Sequence, residues 1–275
     1  MAYQISDLAR KYAAWSYSRL STAETCPAQF AHKSIWRTPS AAAPSDTKVG
    51  IAAHEILEHR VTGDNNKVAR DKAFEKTPLT TSEMELLSTM ADNMDTFLKK
   101  FERFCQTHKV QKVYTEVAWA FTDTYAPTDF FSKDAYFRGK VDLGALTPDG
   151  DLFVIDHKSG IAKDLKTDTN KKQQLQAYAV LALPNLKDLA GVRGGISFLQ
   201  GDEDKLIQWT DYIPSERINK LYAPWLFNRI NDAASNLIEP FEARPARKMP
   251  KGWPCAWCQF SDKCDAFQAK FGQAK

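Results

Sequence analysis

Two aspartates and a lysine near the middle of the chain have the types and spacing needed for metal-assisted hydrolysis. Asp142 ends the segment Gly139–Asp142, and Asp156 and Lys158 stand together in the segment Val154–Lys158. A divalent cation held by two carboxylates can polarise a phosphodiester oxygen and acidify a water molecule. A neighbouring lysine can orient that water or offset the developing charge. The three side chains therefore indicate a hydrolytic metal site, provided that the fold brings them together.

A β-hairpin is the element that must position them. The turn-forming segment Thr147–Asp151 lies between two strand-like runs. With the turn centred on Asp149, residue i pairs with residue 298 − i, which places Asp142 opposite Asp156. Opposed Cβ atoms lie about 4.5–5.5 Å apart, where two carboxylates repel unless a cation lies between them. Lys158 emerges on the same face as Asp156. A turn of different length shifts this pairing but leaves the two carboxylates as neighbours.

An Asp-x-Lys pair taken alone is more often a surface ion pair of little consequence. Here the apolar run Leu152–Ile155 leads directly into Asp156. Such a run is typical of an interior strand, where unpaired charge is costly. The sequence thus favours a buried site over a solvated ion pair.

The cysteines form a second candidate site at the two ends of the chain. Cys26 lies near the start, and Cys255, Cys258 and Cys264 form a Cys-x2-Cys-x5-Cys run near the end. Four gathered cysteines in a reducing compartment indicate a metal or iron–sulfur site that would clasp the chain ends together. By themselves, four cysteine ligands with one Cys-x2-Cys pair favour zinc slightly over iron–sulfur. Cys105 lies in a helix-like segment and reads as an ordinary buried or half-buried thiol.

The elements around these sites alternate between helical and strand-like patterns. Apolar residues at helical spacing predict a helical region over about Val49–Thr107, and alternation in Val113–Phe121 predicts a strand with the odd-numbered residues on its apolar face. The further predictions are a helix from a Ser18 cap through Cys26 and Pro27, a linker at Thr38–Pro44, strands at Tyr136–Leu146, Leu152–His157, Val192–Gln200 and Leu206–Tyr212, and helices at Lys171–Leu183 and Pro214–Ile238.

Length and composition bound the class of protein. A chain of 275 residues that is 43% hydrophobic predicts one domain with appended helices. A net charge of +3 permits an acidic partner such as nucleic acid without demanding one. The sequence shows no run of 18 apolar residues and no Gly-x4-Gly-Lys-Ser/Thr loop. We therefore expect a cytoplasmic protein with no membrane partner and no built-in ATP motor.

These motifs together resemble the PD-(D/E)xK nuclease superfamily and, within it, the RecB-like branch. Asp142 and Asp156-x-Lys158 match the core motif, His54 matches the helical histidine that precedes it, and Gln174-x3-Tyr178 matches the Gln-x3-Tyr motif that follows. The cysteine spacing is similar to that of iron–sulfur members, the CRISPR-associated and AddB-type exonucleases. The resemblance spans about residues 16–264.

The resemblance implies a restriction-endonuclease-like α/β fold with a mixed sheet flanked by helices. It divides one nuclease domain over residues 1–275 into a helical part at 16–107, a nuclease core at 108–238 and a cysteine segment at 239–275. It implies Mg²⁺ or Mn²⁺ at His54, Asp142 and Asp156, with Lys158 assisting water, and a structural four-iron, four-sulfur (4Fe-4S) cluster on the cysteines. In the same reading Gln174 and Tyr178 face the site, and Glu116 assists the metal or water.

The function implied is a deoxyribonuclease, and we expect an exonuclease acting on single- or double-stranded DNA ends in recombination, repair or replication. A helicase, a recombinase or a CRISPR integration protein would be its partner. The alternatives are a non-catalytic DNA-binding or assembly subunit with this fold, and the same nuclease with a zinc clasp. Taken without the resemblance, His54 is more often a core histidine, Glu116 a solvent-exposed residue, and Gln174 with Tyr178 a packing pair.

Basic and aromatic segments are candidates for DNA contact, although each is more often a solvated face or a core anchor. The basic residues are Lys163, Lys166, Lys171, Lys172, Arg244, Arg247, Lys248 and Lys251, and the aromatic residues are Phe130, Phe131, Tyr136 and Phe137.

Overall fold

The structure, a computed structural model, describes residues 3–39, 45–162, 164–237, 255, 258–264 and 267–268. Its helices are α1 (Asp7–Lys11), α2 (Tyr17–Thr25), α3 (Pro27–Phe30), α4 (Ser45–Val61), α5 (Asn66–Lys76), α6 (Thr81–Ser88), α7 (Ala91–Thr107), α8 (Thr169–Asn185), α9 (Ser215–Arg217) and α10 (Ala223–Ser235). Its strands are β1 (Lys112–Phe121), β2 (Pro127–Thr128), β3 (Phe137–Leu146), β4 (Asp151–Ile161), β5 (Gly191–Gln200) and β6 (Ile207–Pro214). Single π-helical turns follow α3 and α9, at Ala31–Ile35 and Ile218–Tyr222. Part of the predicted linker, the end of the last predicted helix, Lys163 and the basic residues from Arg244 to Lys251 lie outside the described residues.

Six strands form one mixed sheet in the order β2-β1-β3-β4-β5-β6. Strands β4 and β5 are parallel and are connected through α8, whereas the other neighbours are antiparallel. A parallel pair needs a crossover of this kind, while antiparallel neighbours can follow each other through short turns. The mixed α/β class predicted from the sequence is confirmed.

The hairpin between β3 and β4 has the predicted register. Leu143 pairs with Ile155 and Leu146 with Leu152, so paired residue numbers sum to 298. Gly150 supplies the turn with a positive φ of 84°, and a Cβ there would lie 2.6 Å from the carbonyl oxygen of Asp188. Only glycine combines that conformation with that approach.

Each face of the sheet is covered by helices. On one face, α8 and α10 pack with the N-terminal helices, and their buried side chains include Leu175, Leu226 and Leu20. On the other face, α4 to α7 pack against Leu143 and Ile155. The region predicted as helical over Val49–Thr107 thus divides into four amphipathic helices that share one apolar cluster. None of the described helices has the length and apolar character required to cross a membrane.

Local capping corrects one helix start and places Cys26. Helix α2 begins after Ser16, whose side chain accepts a hydrogen bond from the backbone N–H of Arg19, and not at the predicted Ser18. Cys26 ends α2 and begins α3, where its Sγ accepts from the N–H of Gln29 at 3.4 Å and Pro27 takes the first helical position. This cysteine is therefore fixed between two short helices.

Strand β1 does not alternate as predicted. Val113 is exposed, whereas Tyr114 packs on the same core cluster as Val117 and Trp119. The change of face falls at Glu116, whose φ of +48° lies in the left-handed region. The register to β3 is the same on both sides of Glu116, with Thr115 opposite Leu143 and Val117 opposite Val141. The prediction failed because strict alternation assumes extended backbone throughout.

Candidate functional site

The site lies where strands β3 and β4 part. Their pairing ends at Leu143 and Ile155, although β4 continues to pair with β5 as far as Ile161 and β3 with β1 back to Phe137. Asp142 and Asp156 are the next residues on the two separating strands. The fork between the strands therefore has an aspartate on each branch.

The carboxylate of Asp142 bridges the start of this fork. Its Oδ2 accepts a hydrogen bond of 2.8 Å from the backbone N–H of His157 on β4. The same oxygen lies 3.4 Å from Nδ1 of His54 on α4. One turn before His54, a Cβ at Gly50 would lie 2.8 Å from Oγ of Ser159, so α4 runs close to the end of β4. The close helix–strand contact explains how a residue of the outer layer reaches a carboxylate of the sheet.

Glu116 joins Asp142 and His54 through its unusual backbone. One ligand atom from each of the three residues lies within 4.8 Å of the others, and all three are partly buried. A non-glycine residue in the left-handed region costs about 1–3 kcal/mol, and such residues cluster at functional sites. The strain at Glu116 coincides with the position where the strand turns a carboxylate towards the fork. Solvent exposure, the default expectation for Glu116, does not describe this side chain.

Asp156 is held from three sides. It is only 2% exposed. Its Oδ1 accepts hydrogen bonds from Nε2 of Gln174 at 2.9 Å and from the hydroxyl of Tyr178 at 3.4 Å, and Gln174 also donates to that hydroxyl at 2.9 Å. Nζ of Lys158 lies 2.5 Å from Oδ2 as an ion pair, but Oδ2 accepts no hydrogen bond of suitable geometry. Asp156 thus has an internal counterion in its buried position.

The electrostatics of the fork favour a bound cation. Burial, and after it the charge of Asp156, raises the pKa of Asp142 well above its usual value. Burial lowers the pKa of His54, which keeps its imidazole neutral and able to act as a ligand. Burial and the charge of Asp156 raise the pKa of Tyr178, so its hydroxyl remains a donor. All three directions reflect poor solvation, to which the negative charge of Asp156 adds at Asp142 and Tyr178.

The donor set fits a hard divalent ion. Carboxylate oxygens with one imidazole suit Mn²⁺ and tolerate Mg²⁺. His54, Glu116 and Asp142 present such donors at a common point, and the charge of the buried Asp156 carboxylate, paired with Lys158, acts on both His54 and Asp142. The sequence predicted His54, Asp142 and Asp156 as ligands with Glu116 assisting. In the structure, Glu116 shares with His54 and Asp142 the group whose ligand atoms lie within 4.8 Å of one another. The carboxylate of Asp156 instead contacts Gln174, Tyr178 and Lys158.

All seven side chains predicted for this site meet at the fork or in the network around it. Lys158, Gln174 and Tyr178 reach it through Asp156, whereas His54 and Glu116 reach it through Asp142. The structure adds two residues that the sequence reasoning missed. Lys140 forms an ion pair with Glu116 across β1 and β3. His157 is 4% exposed, and its ring lies 5.6 Å from that of His54, edge to face.

A signal for both missed residues was present in the sequence. His157 stands between Asp156 and Lys158, so alternation directs it to the opposite, apolar face. There its ring packs edge to face on Phe97 at 4.9 Å, and burial lowers its pKa well below the usual value. Lys140 is two residues before Asp142, on the strand neighbouring Glu116. Reading cross-strand partners as well as motifs would have found it.

The four predicted cysteines line one pocket. Cys26, Cys255, Cys258 and Cys264 share it with His32 and Phe260, whose rings stack at 5.3 Å. Burial raises the pKa of Cys26 and Cys258. These thiols would therefore ionise to thiolates when a bound metal compensates the negative charge. Soft thiol donors from both ends of the chain fit a metal or cluster. Cys105 packs partly buried against the apolar cluster under α7, as expected of an ordinary thiol.

Candidate DNA-contacting residues have mixed outcomes. Tyr136 and Phe137 are buried in the core, at 2% and 1% exposed, so stacking on bases by these two rings is excluded. The guanidinium carbon of Arg138 lies 5.0 Å from the ring centroid of Phe130, whereas Phe131 is 87% exposed. Lys171 of α8 pairs with Asp168, the N-cap residue of that helix. Lys166 and Lys172 line a separate cavity beside α8.

One family model and several solved structures are similar to this chain. The family model described as PD-(D/E)XK nuclease superfamily matches residues 14–265. A crystal structure of a protein from Eubacterium rectale named "putative exonuclease" is 11% identical, with 85% of each chain covered and a TM-score of 0.48. The crystal structure of SSO0001 is 14% identical and covers 90% of this chain and 95% of that chain, with a TM-score of 0.35. Neither likeness supports a conclusion about function at these scores. No curated protein sequence matches this chain.

Proposed function

Because the chain belongs to the PD-(D/E)XK nuclease superfamily, we propose that it is a metal-dependent deoxyribonuclease that removes nucleotides from DNA ends. The observation that carries the proposal is the fork between β3 and β4. There His54, Glu116 and Asp142 present ligand atoms within 4.8 Å of one another, beside the Asp156–Lys158 ion pair. Partly buried carboxylates that face each other require a counter-charge, and hydrolysis of a phosphodiester uses the same charge.

We assign the residues of the fork as follows. His54 and Asp142 would hold Mn²⁺ or Mg²⁺ together with carboxylate oxygens of Glu116 and Asp156. The bound ion would polarise a non-bridging phosphate oxygen and lower the pKa of a water molecule. Lys158, whose Nζ is 2.5 Å from Asp156, orients the attacking water or offsets charge on the phosphate. Gln174 and Tyr178 keep Asp156 in position through its other oxygen.

The second part of the proposal concerns the cysteines. We assign them to a structural 4Fe-4S cluster of the kind found in RecB-like exonucleases, because their number and spacing match and they line one pocket. The cluster would join the α2–α3 junction to the C-terminal segment. Iron content and visible absorption of anaerobically purified protein distinguish it from a zinc clasp, which would give a colourless protein with one zinc per chain.

The biological setting we propose is recombination, repair or replication of DNA, with a helicase, a recombinase or a CRISPR integration protein as partner. The chemistry of the fork does not depend on the partner, because it acts on the phosphodiester group itself.

Digestion of end-labelled single- and double-stranded DNA, with and without Mn²⁺, tests the activity. We expect release of nucleotides only with metal, and loss of cleavage in Asp156→Ala and Lys158→Ala proteins that remain folded. Asp149→Asn, in the exposed hairpin turn, is the matched control and should cleave normally. Full activity in either Asp156→Ala or Lys158→Ala overturns the assignment. DNA binding without cleavage under all conditions would instead favour a non-catalytic assembly subunit.

A further inference from the structure

A second cavity lies on the other side of α8 from the fork, against β5 and the edge strand β6. Its volume is about 350 Å³, near the lower end of the range of about 300–1,000 Å³ usual for small-molecule sites. Lys172 of α8 lines it, two residues from Gln174 and therefore about half a turn round the helix. One helix thus separates the cavity from Asp156.

The floor of the cavity is apolar because two elements approach each other closely there. Gly194 of β5 and Leu175 of α8 both line it, and a Cβ at Gly194 would lie 2.8 Å from Cβ of Leu175. Opposite Gly194, β6 is irregular, and Thr210 satisfies the backbone. Its Oγ1 accepts from the N–H of Gly194 at 3.2 Å and donates to its carbonyl oxygen at 3.0 Å. An apolar floor on which the backbone groups of Gly194 are hydrogen-bonded suits the ring of a base.

The rim of the cavity carries positive charge beside an aromatic ring. Lys166, Lys172 and Arg217 line it, against one acidic lining residue, Asp211. The guanidinium of Arg217 lies 5.7 Å from the ring centroid of Tyr222. Cations that bind phosphate, next to an aromatic ring and an apolar floor that accept a base, are the combination used by proteins that bind single nucleic acid strands.

We propose that this cavity binds one nucleotide of the DNA strand, with the base against Tyr222 and the floor and the phosphate on the cationic rim. The proposal rests on the proposed function, because it takes DNA as the ligand. A helix is about 10–12 Å across, so the nucleotide held here lies away from the phosphodiester that is cut. The cavity anchors the strand while the fork cleaves it.

Binding of thymidine 5′-monophosphate to the metal-free full-length protein, followed by titration calorimetry, tests the cavity without reference to cleavage. We expect binding by the wild type, at least tenfold weaker binding by Arg217→Glu, and about tenfold weaker binding by Tyr222→Leu, which keeps an apolar side chain but removes the ring. Lys187→Glu, at an exposed turn beyond the other end of α8, is the control and should bind as the wild type does.

The outcomes separate the two proposals. Absence of nucleotide binding by the wild type at millimolar concentration, or equal affinity of the wild type and Arg217→Glu, overturns the anchoring site whether or not DNA is cleaved. DNA cleavage that persists with those results leaves the nuclease assignment intact. Nucleotide binding that Arg217→Glu weakens, in a protein that never cleaves DNA, supports the cavity and refutes the nuclease.

Discussion

Replacing Asp142 by asparagine should make the metal-free protein more stable and at the same time inactive. The carboxylate of Asp142 lies in a buried position, within 4.8 Å of a ligand atom of Glu116 and in the field of Asp156. Two unit charges at that distance repel by about 3 kcal/mol at an effective dielectric constant of about 20. Lys140 offsets part of the charge on Glu116, so we expect a net gain of about 1–2 kcal/mol. Asparagine retains an oxygen that can accept the N–H of His157.

The gain has a defined pH dependence. Asp142 has a folded-state pKa raised above 3.8, so the wild type is relatively stable at low pH and loses that stability as pH rises towards the raised pKa. Below pH 3.8 both the folded and the unfolded forms carry a protonated carboxyl, and Asp142→Asn has no advantage. Above the raised pKa its advantage is complete.

Thermal unfolding in chelator and in Mn²⁺ measures both effects. In chelator we expect the variant to melt roughly 2–8 °C above the wild type. Mn²⁺ at a hundred times its Kd adds about 2.7 kcal/mol to the free energy of unfolding of a protein that binds it. With Mn²⁺ we therefore expect the wild type to melt above the variant. Asp149→Asn should change stability by less than about 0.5 kcal/mol in either buffer. A variant that is no more stable than the wild type in chelator, or an order that does not reverse with Mn²⁺, refutes the interpretation of the fork as a metal site.

Four further outcomes follow from the same structure. Mn²⁺ affinity, followed by calorimetry, should fall about tenfold per pH unit below the raised pKa of Asp142, because each ion then displaces one proton; pH-independent affinity would contradict this. Glu116→Gly should be more stable towards denaturant than Glu116→Ala by about 1 kcal/mol, the reverse of the usual order in a strand, because only glycine accepts a φ of +48° without strain. Tyr178→Phe removes one hydrogen bond to Asp156 and should lower kcat about 2- to 10-fold with KM unchanged; a change confined to KM would argue against the positioning role. Cys26→Ser should lose iron and lower the melting temperature, and a variant that retains the full iron content would remove Cys26 from the cluster.

The hairpin and its carboxylates could be predicted because local rules determine them. Turn residues at Thr147–Asp151 define the register, and the register places Asp142 beside Asp156. Alternation then assigns Lys158 to the same face. None of these steps needs tertiary information, so the structure agrees with them residue by residue.

The other features of the fold and the site depend on tertiary contacts, which local sequence rules do not describe. The face change at Glu116 arises from a strained backbone that only the surrounding sheet can maintain, so strict alternation misassigned Val113 and Tyr114. Tyr136 and Phe137 stand in a polar segment, yet strand pairing draws them into the core. The separation of β3 from β4 is likewise a tertiary feature, and without it the two aspartates would be an ordinary cross-strand pair.

The lysines at the fork have a consequence for the order of folding and metal loading. Lys140 lies against Glu116 and Lys158 against Asp156, so two of the three carboxylates carry an internal counterion before any metal arrives. In the proposed site, a divalent ion would replace an ammonium group as the counterion of the carboxylates. The lysines would remain beside the site, where they would pair with the phosphates of a bound strand. Binding of the metal would thereby free the two lysines to contact the substrate.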